Sequence, residues 1–125
     1  MVTNYRRGYN FELKVRNTFR DFGLRAERQP GSKPFDILVF RGGEAKFVID
    51  AKKTLKEELY LSKKDLGALI EYASSWNAYP LIVYSLLNSP AYVAFPKDIV
   101  NQGEGQSVKL VAGMELKDFL ASYVK

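Results

Sequence analysis

Neither cysteine nor histidine occurs anywhere in the 125 residues. Without cysteine there is no disulfide framework and no thiolate zinc site. Without histidine the usual general base and the commonest transition-metal ligand are absent as well. Any catalysis therefore has to run on carboxylates, lysine, hydroxyls or a hard cation held by oxygen. Long apolar runs are also missing: nothing approaches the roughly 18 residues that cross a bilayer, and the start of the chain carries no signal-peptide core. The expectation is a soluble, cytoplasmic protein with no membrane partner. Negative charge is the scarcer sign, with 14 acidic against 19 basic residues, a net charge of +5 and a pI near 9.4. That balance tilts the reading toward a polyanionic partner, because lysine and arginine contacts to phosphates release counterions. With 46% hydrophobic residues the chain is long enough for one core, so a single domain over residues 1–125 is expected.

The chemistry present concentrates between Pro34 and Lys53, PFDILVFRGGEAKFVIDAKK. This stretch reads as a strand, a tight Gly42-Gly43 turn and a second strand, with Asp36 on the first and Asp50 and Lys52 on the second. Side chains two apart in a strand share a face, so Asp50 and Lys52 point the same way. Phe47, Val48 and Ile49 ahead of them form the kind of run found in a strand buried on both sides. Two acids and a lysine at the end of such a hairpin are costly and call for compensation by a metal ion or a phosphate.

Around that hairpin the chain alternates helices and strands. Thr3 to Phe22 reads as a basic first helix whose apolar face is Phe11, Val15, Phe19 and Phe22, ending at Gly23. Glu12 falls on or beside that stripe, either as a flanking residue paired with Arg16 or as a carboxylate turned toward a site. Leu24 to Glu27 suggests an edge strand, followed by a basic loop from Arg28 to Pro34 whose prolines and glycine exclude regular structure. Thr54 to Leu61 is either an irregular extension or a third strand. Ser62 offers an N-cap with Asp65 in capping-box position, opening a helix to about Trp76 that buries Leu66, Leu69, Ile70 and Ala73. Strands are expected at Pro80 to Leu87, Ala91 to Phe95 and Val108 to Ala112. A last amphipathic helix, Glu115 to Val124, turns Leu116, Phe119, Leu120 and Tyr123 inward. The order indicates an α/β fold, a central mixed β-sheet flanked by helices.

If Glu12, Asp36 and Asp50 converge, a divalent cation is the natural remedy for their repulsion. Mg²⁺ takes one or two carboxylates and leaves the rest of its shell to water and phosphate oxygens. Lys52 would then hold a water or stabilise charge developing on phosphorus. Such chemistry needs no histidine.

Asp36, thirteen residues, then Asp50-Ala-Lys52 resembles the Asp…(Asp/Glu)-x-Lys signature of restriction-endonuclease-like nucleases. More of the chain, residues 5 to 95, resembles the archaeal Holliday junction resolvases. The match runs through Arg6-Arg7-Gly8-Tyr-Asn-Phe-Glu12, Gly31-Ser32-Lys33-Pro34, the acid hairpin, the helix Leu66 to Trp76 and the strand from Pro80 to Tyr84. The resemblance implies a restriction-endonuclease-like fold and an Mg²⁺-dependent endodeoxyribonuclease, with Mn²⁺ as a substitute, acting in DNA recombination and repair. It implies Glu12, Asp36 and Asp50 as metal ligands and catalytic acids, Lys52 as the catalytic lysine and Ser32 near the scissile group. Arg6, Arg7, Lys33 and Lys53 would contact DNA. Two features depart from the family pattern: Phe35 intervenes between Pro34 and Asp36, and Asp50 stands where glutamate is more frequent.

Cutting a four-way junction on two symmetric strands needs two active sites, which implies a C2 homodimer. Tyr84, Tyr92 and Phe95 are the expected contact aromatics, and Trp76 and Tyr72 belong to the core or that interface. The alternatives are a related nuclease acting on duplex or flap DNA, an inert DNA-binding module of the same fold, or a basic protein that binds acidic proteins. A solvent-facing Asp50–Lys52 pair on an edge strand is the plainest reading of the signature.

Overall fold

The first helix owes its position to a single apolar stripe. In the computed structural model, which describes residues 4–29 and 35–125 with side chains from residue 8 onward, α1 spans Asn4–Asp21 and buries Phe11, Val15 and Phe19. Gly23 follows at φ +85, and the chain reverses into β1, Arg25–Arg28. β1 pairs antiparallel with β2, Ile37–Arg41, which pairs antiparallel with β3, Glu44–Thr54. Gly42 and Gly43 join them with φ +61 and +83, the doubly positive turn whose twist suits a two-residue hairpin. A register shift between Val39 and Phe40 leaves Lys46 as the extra residue on β3.

After β3 the chain forms β4, Leu59–Ser62, then α2, Lys63–Ser75, and returns as β5, Tyr79–Leu86, parallel to β3. The Ser62 hydroxyl accepts from the Asp65 N–H at 2.9 Å, satisfying one of the free donors of the first turn. Asn77 at φ +53 ends the helix region. β6 (Tyr92–Ala94), the short α3 (Pro96–Ile99), β7 (Ser107–Leu110), β8 (Met114–Glu115) and α4 (Leu116–Tyr123) complete the chain. The main sheet runs β1-β2-β3-β5-β6-β8, with one parallel pair among antiparallel ones, while β4 and β7 form a separate two-stranded sheet. The mixed sheet expected from the sequence is therefore present. The Thr54 to Leu61 segment joins it nowhere: its strand pairs with β7 instead. The turn of helix α3 was not expected.

Two apolar clusters lie on opposite faces of the main sheet. Ile37, Val39, Phe47 and Ile49 pack against α1 and α4, while Leu38, Val48 and Ile82 pack against α2. β5 is buried from Pro80 to Leu86, as a strand covered on both faces should be. The expectation that Tyr84 serves as an exposed contact aromatic is corrected: it is buried, and its hydroxyl donates to the Val111 carbonyl at 2.7 Å. Phe95 is half-buried against the core, whereas Trp76 is 43% exposed. Tyr72 packs on Phe35, ring centroids 4.8 Å apart.

Candidate active site

The hairpin register decides which acids meet. Ile37 stands opposite Ile49, and one further step along the same antiparallel register sets Asp36 opposite Asp50. Asp36 immediately precedes β2, where its N–H donates to the Ile49 carbonyl and its own carbonyl accepts from the Gln29 N–H, both at 2.8 Å. One carboxylate oxygen, Oδ2, accepts from the Ala51 N–H at 2.8 Å. Asp36 is thus fixed to its neighbours on both sides, which sets its side chain toward Asp50.

Alternation along β3 puts Phe47, Ile49 and Ala51 toward α1, and Val48, Asp50 and Lys52 toward α2. Asp50 has a side chain only 21% exposed, and its pKa is pushed up to about 7. Burial is the largest cause. A hydrogen bond and charge repulsion from Asp36 add to it, against the opposing pull of Lys52. The Lys52 Nζ lies 3.6 Å from Asp50 Oδ2, with its side chain 45% exposed. The pair is therefore neither solvated on an edge nor sealed in the core. β3 is flanked by β2 and β5, so the edge-strand reading fails.

Glu12 approaches from α1, on the opposite face of the sheet. Its Oε1 accepts from the Arg28 Nε at 2.9 Å, so its partner is Arg28 rather than the expected Arg16, which instead reaches Asn17. Its pKa is raised, first by burial and next by the charge of Asp36, with Arg28 and Lys52 pulling the other way. Glu12 is thus electrostatically part of the site, while Arg28 holds its carboxylate aside. Among the described residues no three acidic side chains are gathered closely enough to chelate one ion.

The donor set nonetheless suits a hard divalent cation. Two carboxylates face each other, and one is half-neutralised because it lacks a compensating charge. Asp36 and Asp50 are the residues that would hold such an ion. Of the remaining candidates, Lys53 is exposed and alternates to the face away from Lys52. The Arg6 and Arg7 side chains, Ser32 and Lys33 lie outside the described residues.

A cleft of about 190 Å³ opens beside Asp50 and Lys52, bounded by β4, the start of α2 and Ile82. Sequence reasoning missed Tyr60 and Asp65 as its wall, because the pairing of β4 with distant β7 is a long-range event with no local signal.

A family model described as archaeal Holliday junction resolvase (Hjc) matches residues 3–125. The crossover junction endodeoxyribonuclease Hjc of Methanocaldococcus jannaschii is 28% identical over 82 residues. That match covers 66% of this chain and 61% of the relative, so it spans less than two thirds of the relative's length. The solved structure of the Holliday junction resolvase Hjc of Archaeoglobus fulgidus superposes with a TM-score of 0.78 at 19% identity, covering 92% of this chain and 96% of the other. At that identity the likeness establishes the shared fold.

Proposed function

Because the chain belongs to the archaeal Holliday junction resolvase family, we propose that it is a divalent-cation-dependent endodeoxyribonuclease that nicks four-way DNA junctions on two symmetric strands. The observation that carries this reading is the Asp36–Asp50 pair, set face to face by the hairpin register with Lys52 two residues on. Mg²⁺ is the cation of choice, with Asp36 and Asp50 as its protein ligands. When bound it would polarise the phosphodiester and lower the pKa of water.

The protein's own groups then have separable tasks. Asp36, locked by the Ala51 N–H, positions its free oxygen. Asp50 titrates near neutrality and must lose its proton to act as a ligand, so binding a cation releases a proton. Lys52 is exposed enough to reach a phosphate oxygen in the cleft and stabilise the charge that grows there as water's oxygen bonds to phosphorus and the P–O bond breaks. Arg6, Arg7, Lys33 and Lys53 are proposed phosphate contacts, Ser32 a neighbour of the scissile group, and Glu12 an acid acting through its charge.

Paired nicks need two such centres, which a C2 homodimer supplies. Trp76, 43% exposed at the end of α2, offers it an uncovered ring. No helix among the described residues is long and apolar enough to cross a membrane.

The test is cleavage of labelled four-way junction, duplex and flap DNA with and without Mg²⁺, alongside Asp50→Asn and Lys52→Ala. Metal-dependent paired nicks confined to the junction are expected. Each substitution should lower cleavage on the order of 10³-fold, about 4 kcal/mol of barrier, while junction binding persists. Equal cutting of duplex would shift the reading to a broader nuclease, and binding without metal-dependent cutting to an inert module.

A further inference from the structure

The cleft beside Asp50 and Lys52 is chemically two-sided. One wall is the acid–lysine pair. The floor is apolar, made by Leu61, Leu66 and Ile82, and Tyr60 stands at the rim. A site for phosphate alone has no use for an apolar floor, and single exposed aromatics are ordinary on surfaces. Tyr60 differs from a stray surface ring in being braced. It is 59% exposed, yet its hydroxyl donates to Glu58 Oε1 at 3.1 Å, and Glu58 Oε2 lies 3.7 Å from the Lys109 ammonium. Lys109 sits on β7 directly opposite Tyr60 in the strand register. Glu58, Tyr60 and Lys109 therefore form a chain across the small sheet that orients an exposed ring beside the proposed reactive groups.

Size narrows the occupant. About 190 Å³ is below the roughly 300 Å³ at which pockets begin to enclose a drug-sized ligand. It suits part of one nucleotide rather than a length of duplex. A base stacked within a continuous duplex offers its edges but no free face, whereas the nucleotides at the crossing point of a four-way junction can unstack at low cost. Aromatic faces capture such bases with little sequence preference, at roughly 1–3 kcal/mol each.

We propose that this cleft is a subsite for one unstacked nucleotide, its phosphate toward Lys52 and its base against the ring of Tyr60, and that this contact lets the site favour junctions over uninterrupted duplex. The inference rests on the nuclease reading above and adds the group that reads DNA shape. Tyr60 is a positioning residue: it holds the substrate strand and leaves the reacting atoms to Asp50 and Lys52.

The experiment compares the full-length protein with Tyr60→Leu, Tyr60→Phe and Tyr60→Trp. The probe is a four-way junction carrying 2-aminopurine at the crossing point, with a duplex of the same sequence as reference. Tyr60→Leu is expected to weaken junction affinity and raise KM on the order of tenfold, with duplex affinity and single-turnover rate at saturation unchanged. Tyr60→Phe and Tyr60→Trp should restore junction affinity. Fluorescence of 2-aminopurine should be quenched on binding by every variant with a ring and not by Tyr60→Leu. Equal KM and equal quenching in wild type and Tyr60→Leu would overturn the subsite while leaving the nuclease reading intact. A fall in duplex and junction affinity together in Tyr60→Leu, not rescued by Tyr60→Trp, would assign Tyr60 a purely structural role and also overturn it. A wild type that neither prefers nor cuts junctions would remove the reading beneath and the subsite with it.

Discussion

The two sides of one strand, β3, show how this fold makes room for charge. Toward α1 it presents Phe47 and Ile49, both buried in a cluster that includes Val15, Phe19, Ile37 and Leu120. Toward α2 it presents Val48 and then Asp50 and Lys52, at the point where the apolar cover of α2 gives way to the cleft. The backbone is the same, its hydrogen bonds are the same, and the residues differ by one step. The difference lies in what covers each face: two helices close one side, whereas β4 leaves a gap on the other. A carboxylate beside that gap remains close enough to the core to resist ionisation and open enough to meet a ligand. The closed face carries stability, and the open face spends some of it on chemistry.

The sharpest way to separate the two faces is Ile49→Ala. Ile49 is fully buried opposite Ile37, so truncation leaves a cavity in the closed cluster and should cost about 3 kcal/mol. A chemical denaturation series would measure it. Junction cleavage at saturating substrate, taken well below the lowered unfolding transition, should stay within about twofold of wild type, since one methylene of strand movement is the most that reaches Asp50. A thousandfold loss there would show that the two faces are not separable.

The open face is broken in the opposite sense by removing its charge. In the unfolded chain Asp50 titrates near 3.8, and in the folded protein at about 7. The folded form therefore holds the proton more tightly, so this contribution is fully present below about pH 4 and is lost as pH rises to about 7. Metal-free protein should lose about 2 to 4 kcal/mol of stability across that window. Asp50→Asn should flatten most of the loss and leave the variant more stable than wild type at pH 7.5. Glu12, raised in the same direction, would account for a residual slope. Denaturation midpoints at pH 4.5 and 7.5 in the presence of chelator test this, and parallel curves for wild type and Asp50→Asn would refute it.

Much of this contrast was legible in the sequence because it is local. The Gly42-Gly43 turn fixes the hairpin, period-two alternation puts Asp50 and Lys52 together, and Ser62 with Asp65 marks the start of α2. What stayed hidden depends on pairings distant in the chain. Nothing near Tyr60 announces that β4 pairs with β7, 48 residues on in the Tyr60–Lys109... register, and so the cleft wall could not be foreseen. Tyr84 reads as a surface aromatic until the β7–β8 connection supplies a carbonyl for its hydroxyl. Glu12 was placed beside its apolar stripe, but its partner comes from β1, sixteen residues away, where helical spacing says nothing.

That last pair gives the smallest predicted effect and the one that ties the two faces together. Glu12 sits on the closed side, yet its pKa responds to Asp36 and Lys52 on the open side, so its charge is felt through the end of the sheet. Arg28 offsets that charge at 2.9 Å with both side chains mostly buried. Removing the guanidinium with Arg28→Gln should leave the site more negative, and Glu12→Gln should leave it less so. The Mg²⁺ concentration for half-maximal cleavage is then expected to fall about threefold in the first variant and rise about threefold in the second, the scale of a partly screened ion pair. The double variant should return near wild type, because the two charges cancel at the distance of Asp50. If Glu12→Gln instead abolished cleavage and Arg28→Gln did not rescue the Mg²⁺ requirement in the double variant, Glu12 would be acting by direct contact on the open face, and its pairing with Arg28 would be a resting arrangement that substrate or metal displaces.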